Sequence, residues 1–272
     1  MTPPDLSPAP ASSSMGGESP LPHTRWLLLI LGGVSALISI CSALLYVVVA
    51  RMEERTWRWD WLWGQMFVGE EANVATWWAA SLWLMLALVA VAVALVAPRL
   101  RLLWFFVALV AVYASVDEAT MVHEELYRVG DLLVPLLPFD PFSYTWVVGG
   151  IIAIVIVATV LIPLAIRLPR TVLVGLVVAG AMFVLGAVVV ETVGGHVQDR
   201  VGPETWPVLA LIHVEEALEY FGVVLAIAAV ASMLVPVRTG DGVAVRFRGY
   251  RGQEGPTRER VSRDSDAASV TR

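Results

Sequence analysis

Six helix-length segments built on apolar runs, at residues 26–50, 74–97, 102–125 (apolar to Ala114), 145–166, 171–193 and 208–235, decide what this chain can fold into. Each approaches or exceeds the roughly 20 residues that carry a helix across a hydrocarbon layer. Composition supports the same reading. Hydrophobic residues make up 58% and charged residues 15%, and the mean hydropathy is +0.74. An ordinary soluble domain does not have this balance. The expected fold is all-α: a polytopic integral membrane protein with six transmembrane helices at 26–235, between disordered tails at 1–25 and 236–272.

The polar segments fit that plan. Residues 1–22 are rich in Pro, Ser, Gly and Ala and have little to bury. They lack the basic stretch of a signal peptide, and the apolar run that follows is too long for one. The first long loop, 51–73, carries Trp57, Trp59, Trp61 and Trp63, the composition of a headgroup-level anchor. Pro98-Arg99-Leu100-Arg101 and Arg167-Leu168-Pro169-Arg170 read as tight basic turns. Pro135, Pro138 and Pro141 punctuate a loop at 127–144, and Gly194-Gly195 reads as the break that ends the fifth helix. The tail from Arg238 is Arg-, Gly- and Ser-rich. The single Cys41 excludes an intramolecular disulfide.

Charge placement sets the expected orientation. All 18 basic residues are arginine. Thirteen of them fall in the tails or at one set of helix ends, and five at the other. The richer side should be cytoplasmic, with both termini inside. Seventeen of the 24 acidic residues fall on the opposite side or in the helix halves that lead to it.

That segregation gathers a constellation. The third helix runs outward into Asp117, Glu118, His123 and Glu124. The fifth ends near Glu191 and His196, and the sixth begins with His213, Glu215, Glu216 and Glu219. Tyr113, Asp117, Thr120 and Glu124 share one helical stripe, and His213, Glu216 and Tyr220 another. Glu219 lies roughly 17 Å along the helix from Val208, near mid-bilayer. A charge there costs at least ~2.5 kcal/mol, so Glu219 must face the bundle and find a partner or a proton.

Three readings suit such a set. A divalent metal, Zn²⁺ above all, takes His and carboxylate ligands; the ligand candidates are His123, His196, His213, Asp117, Glu191 and Glu219. Glu118 and Glu216 are then the catalytic candidates, as general bases toward a metal-bound water. In the second reading the same acids serve a proton or cation path. In the third they form a polar network that only fixes helix register. Di-iron spacing is absent, because Glu118 to His123 and Glu191 to His196 are both five apart. The similar segments Val116–Ala119 and Val214–Ala217 lie toward the same side, which argues against an inverted three-helix repeat.

Three blocks carry a resemblance: Glu71-Ala72-Asn73-Val74-Ala75-Thr76-Trp77, Ser115-Val116-Asp117-Glu118 with His123-Glu124, and Glu215-Glu216-Ala217-Leu218-Glu219 with Gly222. Together they resemble a family of uncharacterised bacterial multi-pass membrane proteins, which implies a bacterial cytoplasmic membrane and no particular activity. A weaker similarity is to ceramidase-like membrane hydrolases, which hold zinc in a helical bundle. Those have seven helices and a paired His at i, i+4, and this chain lacks both, so no residue role transfers. The leading functional expectation is a metal-dependent hydrolase of a lipid amide or ester, at an outward-facing site. The alternatives are a proton- or cation-coupled carrier or channel, and a non-catalytic membrane subunit. Membrane lipids are the expected partners, with a lipid-like or small cationic substrate and no nucleic acid.

Overall fold

The computed structural model describes residues 23–136, 144–203, 205–239 and 242–252. The expected disorder at 1–22 and 253–272, and Pro138 and Pro141 of the third loop, lie outside these residues. The chain is mostly helical. Helix α1 is His23–Ala50, α2 is Trp57–Met66, α3 is Val74–Val96 and α4 is Arg101–Thr120. A 3₁₀ turn, Val122–Leu126, leads into the short α5, Tyr127–Leu133. Helix α6 is Trp146–Ala165 and α7 is Arg170–Val184. A π-helical turn, Leu185–Val190, joins α7 to α8, Glu191–Val201. Helix α9, Trp206–Ala231, is followed by strands β1, Leu234–Thr239, and β2, Gly242–Phe247.

Five helical stretches are long and apolar enough to cross a membrane: α1, α3, α4, α6 and the continuous Arg170–Val201. Their outward faces are bare hydrocarbon. Leu88, Leu109 and Ile156 are 63%, 64% and 56% exposed. Faces of this kind are stable against lipid and costly against water. Helix α9 has the length but also carries Glu215, Glu216 and Glu219. It occupies the centre, packed against α1, α3, α7, the π turn and α8.

Hydrogen bonds show which helix ends share a side. His23 Nε2 donates to Ala231 O, so α1 begins where α9 ends. Tyr250 reaches Arg99 O at the α3–α4 turn, and Arg251 N donates to Arg167 O at the α6–α7 turn. These segments form a basic end. The described residues that follow α1, α4 and α8, at 51–73, 121–136 and 202–203, lie at the other, acidic end.

Close packing has identifiable causes. Ser35 and Ser42 of α1 are fully buried; Ser35 Oγ accepts the Trp78 indole N–H at 2.9 Å, and Ser42 Oγ accepts Val68 N–H at 3.2 Å. A Cβ on Gly222 would stand 2.9 Å from Ala179 O and 3.1 Å from Phe183 N. Glycine there lets α7 and α9 approach backbone to backbone.

Several expectations need correction. The first long loop holds a helix, α2. Gly194-Gly195 does not break the fifth helix, which continues to Val201. Gly195 is buried, and contacts of α8 with α9 outweigh the ~1 kcal/mol that glycine costs a helix. Helix α4 stops at Thr120, because Met121 takes a left-handed conformation (φ 54°); Glu124 therefore leaves the stripe of Tyr113 and Asp117. The chain after 233 is not a disordered tail throughout. It forms an antiparallel hairpin in which Val237 faces Ala244. Tyr250 then docks, 6% exposed, against Trp104, which is 0% exposed.

Candidate functional site

The polar site starts at the end of α4. With Met121 left-handed, the chain folds back, and Asp117 takes both donors of His123. Asp117 Oδ1 accepts His123 N–H at 2.6 Å, and Oδ2 lies 2.9 Å from Nδ1. The His123 ring meets Trp146 edge to face, with centroids 4.6 Å apart. Burial lowers the imidazole's proton affinity, but the hydrogen bond and charge of Asp117, with the charges of Glu191 and Glu118, more than reverse this and hold His123 above its ordinary value. At the mouth, partial burial and the Glu124 charge raise the Glu71 carboxyl, against the pull of His123.

One turn inward is Glu118. Its Oε1 accepts the Trp83 indole N–H at 3.2 Å, and Trp83 packs edge to face on Phe183 at 5.1 Å. Glu118 interacts electrostatically with Glu216 and Glu219 of α9. Tyr220 lies beside Glu216, with its hydroxyl donating to Ala75 O at 3.5 Å. Glu191 lies beside Trp146 and interacts with His123, Glu215, Glu216 and Glu219. The π turn fixes that last approach: a Cβ on Gly186 would lie 2.9 Å from Glu215 O and 3.1 Å from Glu219 Cγ. Wide turns of this kind re-aim the side chains that follow them.

Asp117, Glu118, His123, Glu191, Glu216 and Glu219 thus form one electrostatic neighbourhood drawn from three segments distant in sequence. His213 and His196 are bound elsewhere. His213 Nδ1 donates to Leu209 O at 2.7 Å, which leaves Nε2 to accept the Ser42 hydroxyl at 3.0 Å. This imidazole ties α9 to α1, beside Phe67. His196 Nδ1 donates to Thr192 O of its own helix at 2.8 Å. Among the described residues, no group of three or more His, Cys, Asp or Glu side chains is arranged to hold a metal ion. Of the six ligand candidates, His123, Asp117, Glu191 and Glu219 share this neighbourhood while His196 and His213 are bound elsewhere, and no reaction step is assigned to a metal.

Residues 40–234 match the family described as a domain of unknown function, DUF8692. The chain belongs to that family. No curated protein and no solved structure matches it. All three sequence blocks of this DUF8692 chain fall inside the matched region, and each has a structural counterpart. Asn73 caps α3 through Thr76 N–H at 2.9 Å and donates to Gly64 O and Phe67 O at 2.9 and 2.7 Å. The second block supplies Asp117, Glu118 and His123, and the third supplies Glu216 and Glu219. The sequence reading missed Trp83 and Trp146. Trp83 left a usable signal: an indole in the middle of an apolar run, away from the headgroup level, needs an acceptor inside the bundle.

Proposed function

We propose that this DUF8692 protein is a six-span protein of the bacterial cytoplasmic membrane, with both termini inside. Its carboxylate cluster takes up protons or a small cation from the outer side, as the site of a coupled carrier. One observation supports this above the others. Glu118, Glu216 and Glu219 interact with one another inside the bundle, and among the described residues no arginine pairs with them; the ion pairs among those residues are His123–Asp117 and the exposed Arg128–Glu125. Carboxylates crowded together at half-buried positions of a membrane bundle cannot all remain charged without protons or a counter-cation. The Trp83 N–H on Glu118 is too little to balance three of them.

Exposure gives the site a direction. Glu71 and Glu124 are exposed, and the Asp117 and His123 side chains are 18% and 34% exposed. Glu219 lies deepest. Beyond it the bundle is closed by Leu82, Leu86, Ala90 and Val93 of α3 and by Val223, Val224, Ile227 and Val230 of α9, all no more than 6% exposed. A polar site open at one end and sealed by packed hydrocarbon at the other suits a carrier in one of its two states better than an open channel. Arginine placement makes the acidic end the outer one.

The test is flux. The full chain in sealed vesicles, with a pH-sensitive dye inside, should move protons when a gradient of sodium, potassium or a small amine is imposed. Glu219→Gln and Glu216→Gln should abolish the signal. Flux no greater than in empty vesicles for every cation would overturn the proposal.

A further inference from the structure

We propose that the basic end carries a binding site for anionic phospholipid headgroups, framed by Arg99, Arg101, Arg167 and Arg251 and set in place by the docked hairpin. The inference is independent of the carboxylate cluster. It begins with the α3–α4 turn, where residues 98–103 line an open hollow. Its lining pairs two guanidinium groups with Leu100, Leu102 and Leu103. Leu102 is 83% exposed. Arg101 is held in position, with Nε on Ala97 O at 2.9 Å and Nη2 on Leu95 O at 2.7 Å. A guanidinium fixed in this way has lost most of the side-chain freedom that ligand binding would otherwise remove.

The docked hairpin brings further arginines to the same end of the bundle as this hollow. Tyr250 Oη accepts the Trp104 indole N–H at 3.0 Å and donates to Arg99 O at 2.7 Å. The next residue, Arg251, donates its backbone N–H to Arg167 O at 2.7 Å. Two consecutive residues thereby bring the α3–α4 turn, the α6–α7 turn and the chain after β2 into one patch. The side chains of Arg99, Arg101, Arg167 and Arg251 are all exposed. Every acidic residue among the described ones lies at or toward the other end, so none of the described carboxylates neutralises the patch.

The lining identifies the ligand class. Arginines at this density recognise phosphate, often through two parallel N–H bonds. A free phosphate would use the guanidinium groups and leave the leucines bare. A phospholipid uses both, with its phosphate on the arginines and an acyl chain along Leu102 and Leu103.

Native mass spectrometry of the full chain, released from micelles containing phosphatidylglycerol or phosphatidylcholine, tests the assignment. Wild type should keep phosphatidylglycerol several-fold better than phosphatidylcholine. The R99Q/R167Q/R251Q variant should lose that preference, and lysine at the same three positions should restore much of it. R51Q/R55Q/R58Q, at the acidic end, should leave it unchanged. Equal retention of the two lipids, or a preference that survives the triple glutamine variant, would overturn the site. Displacement of phosphatidylglycerol by excess inorganic phosphate would show a soluble-anion site and overturn the lipid assignment.

Discussion

Replacing Asp117 with asparagine tests the mouth of the cluster. Asp117 contributes a charge and two acceptors to His123, at 2.6 and 2.9 Å. Asparagine keeps one acceptor but removes the charge. A hydrogen bond to a charged group contributes roughly 1.5–3 kcal/mol. The His123 side chain is 34% exposed, so solvent screening reduces this to about 1 kcal/mol. The sign of the pH dependence follows from His123. Its proton affinity in the folded protein is raised above the ordinary 6.5. The pair therefore stabilises the fold fully below that value, and the contribution fades as pH rises through the folded value. Without Asp117, burial becomes the main influence and opposes the protonated ring. Thermal unfolding should separate wild type from Asp117→Asn by about 1 kcal/mol at about pH 5 and hardly at all at about pH 9. Ring-labelled NMR, in a background lacking the other histidines, should show His123 titrating lower in the variant. An equal stability gap at both pH values, or an unmoved titration, would refute the pairing.

Tyr250→Phe should leave the Trp104 indole N–H buried without its acceptor. The cost is about 2 kcal/mol, and it should appear as faster hydrogen exchange at 243–247 while α3 and α9 are unchanged. Asn73→Ala removes a cap and two further side-chain bonds, and should lower thermal stability by about 2 kcal/mol. Serine at 73 should recover part of that, because it can cap but cannot donate to both Gly64 O and Phe67 O. Gly222→Val should force α7 from α9 and lower the melting temperature far more than Gly33→Val, whose Cβ would meet nothing within 4 Å.

The apolar runs were legible because lipid imposes one solution on a stretch of that length. So was the gathering of Asp117, Glu118, Glu191, Glu216 and Glu219, since arginine placement and helix direction put them toward one end. Individual side-chain partners were less legible. Heptad-like spacing put Glu124 on the Asp117 stripe, but spacing cannot foresee a left-handed Met121. His213 shares a helix with Glu216 yet bonds Ser42, because its neighbours come from α1 and α2. The glycines at 194 and 195 looked like a break, and the burial that outweighs their cost exists only in the folded bundle. The hairpin had a local signal that tail composition masked: alternating Val235 and Val237, then Val243 and Val245, around Gly240-Asp241-Gly242. Its docking through Tyr250 and Trp104 spans 146 residues and has no local signal.

The most direct test of the central claim is infrared difference spectroscopy of the reconstituted chain in the carboxylic C=O stretching region. Stepping the outer solution from acid to alkaline, or adding the coupled cation, should remove protonated-carboxyl bands. Those bands should shrink in Glu216→Gln and again in Glu216→Gln/Glu219→Gln. A spectrum with no protonated carboxyl at neutral pH, and no response to any cation, would contradict the account.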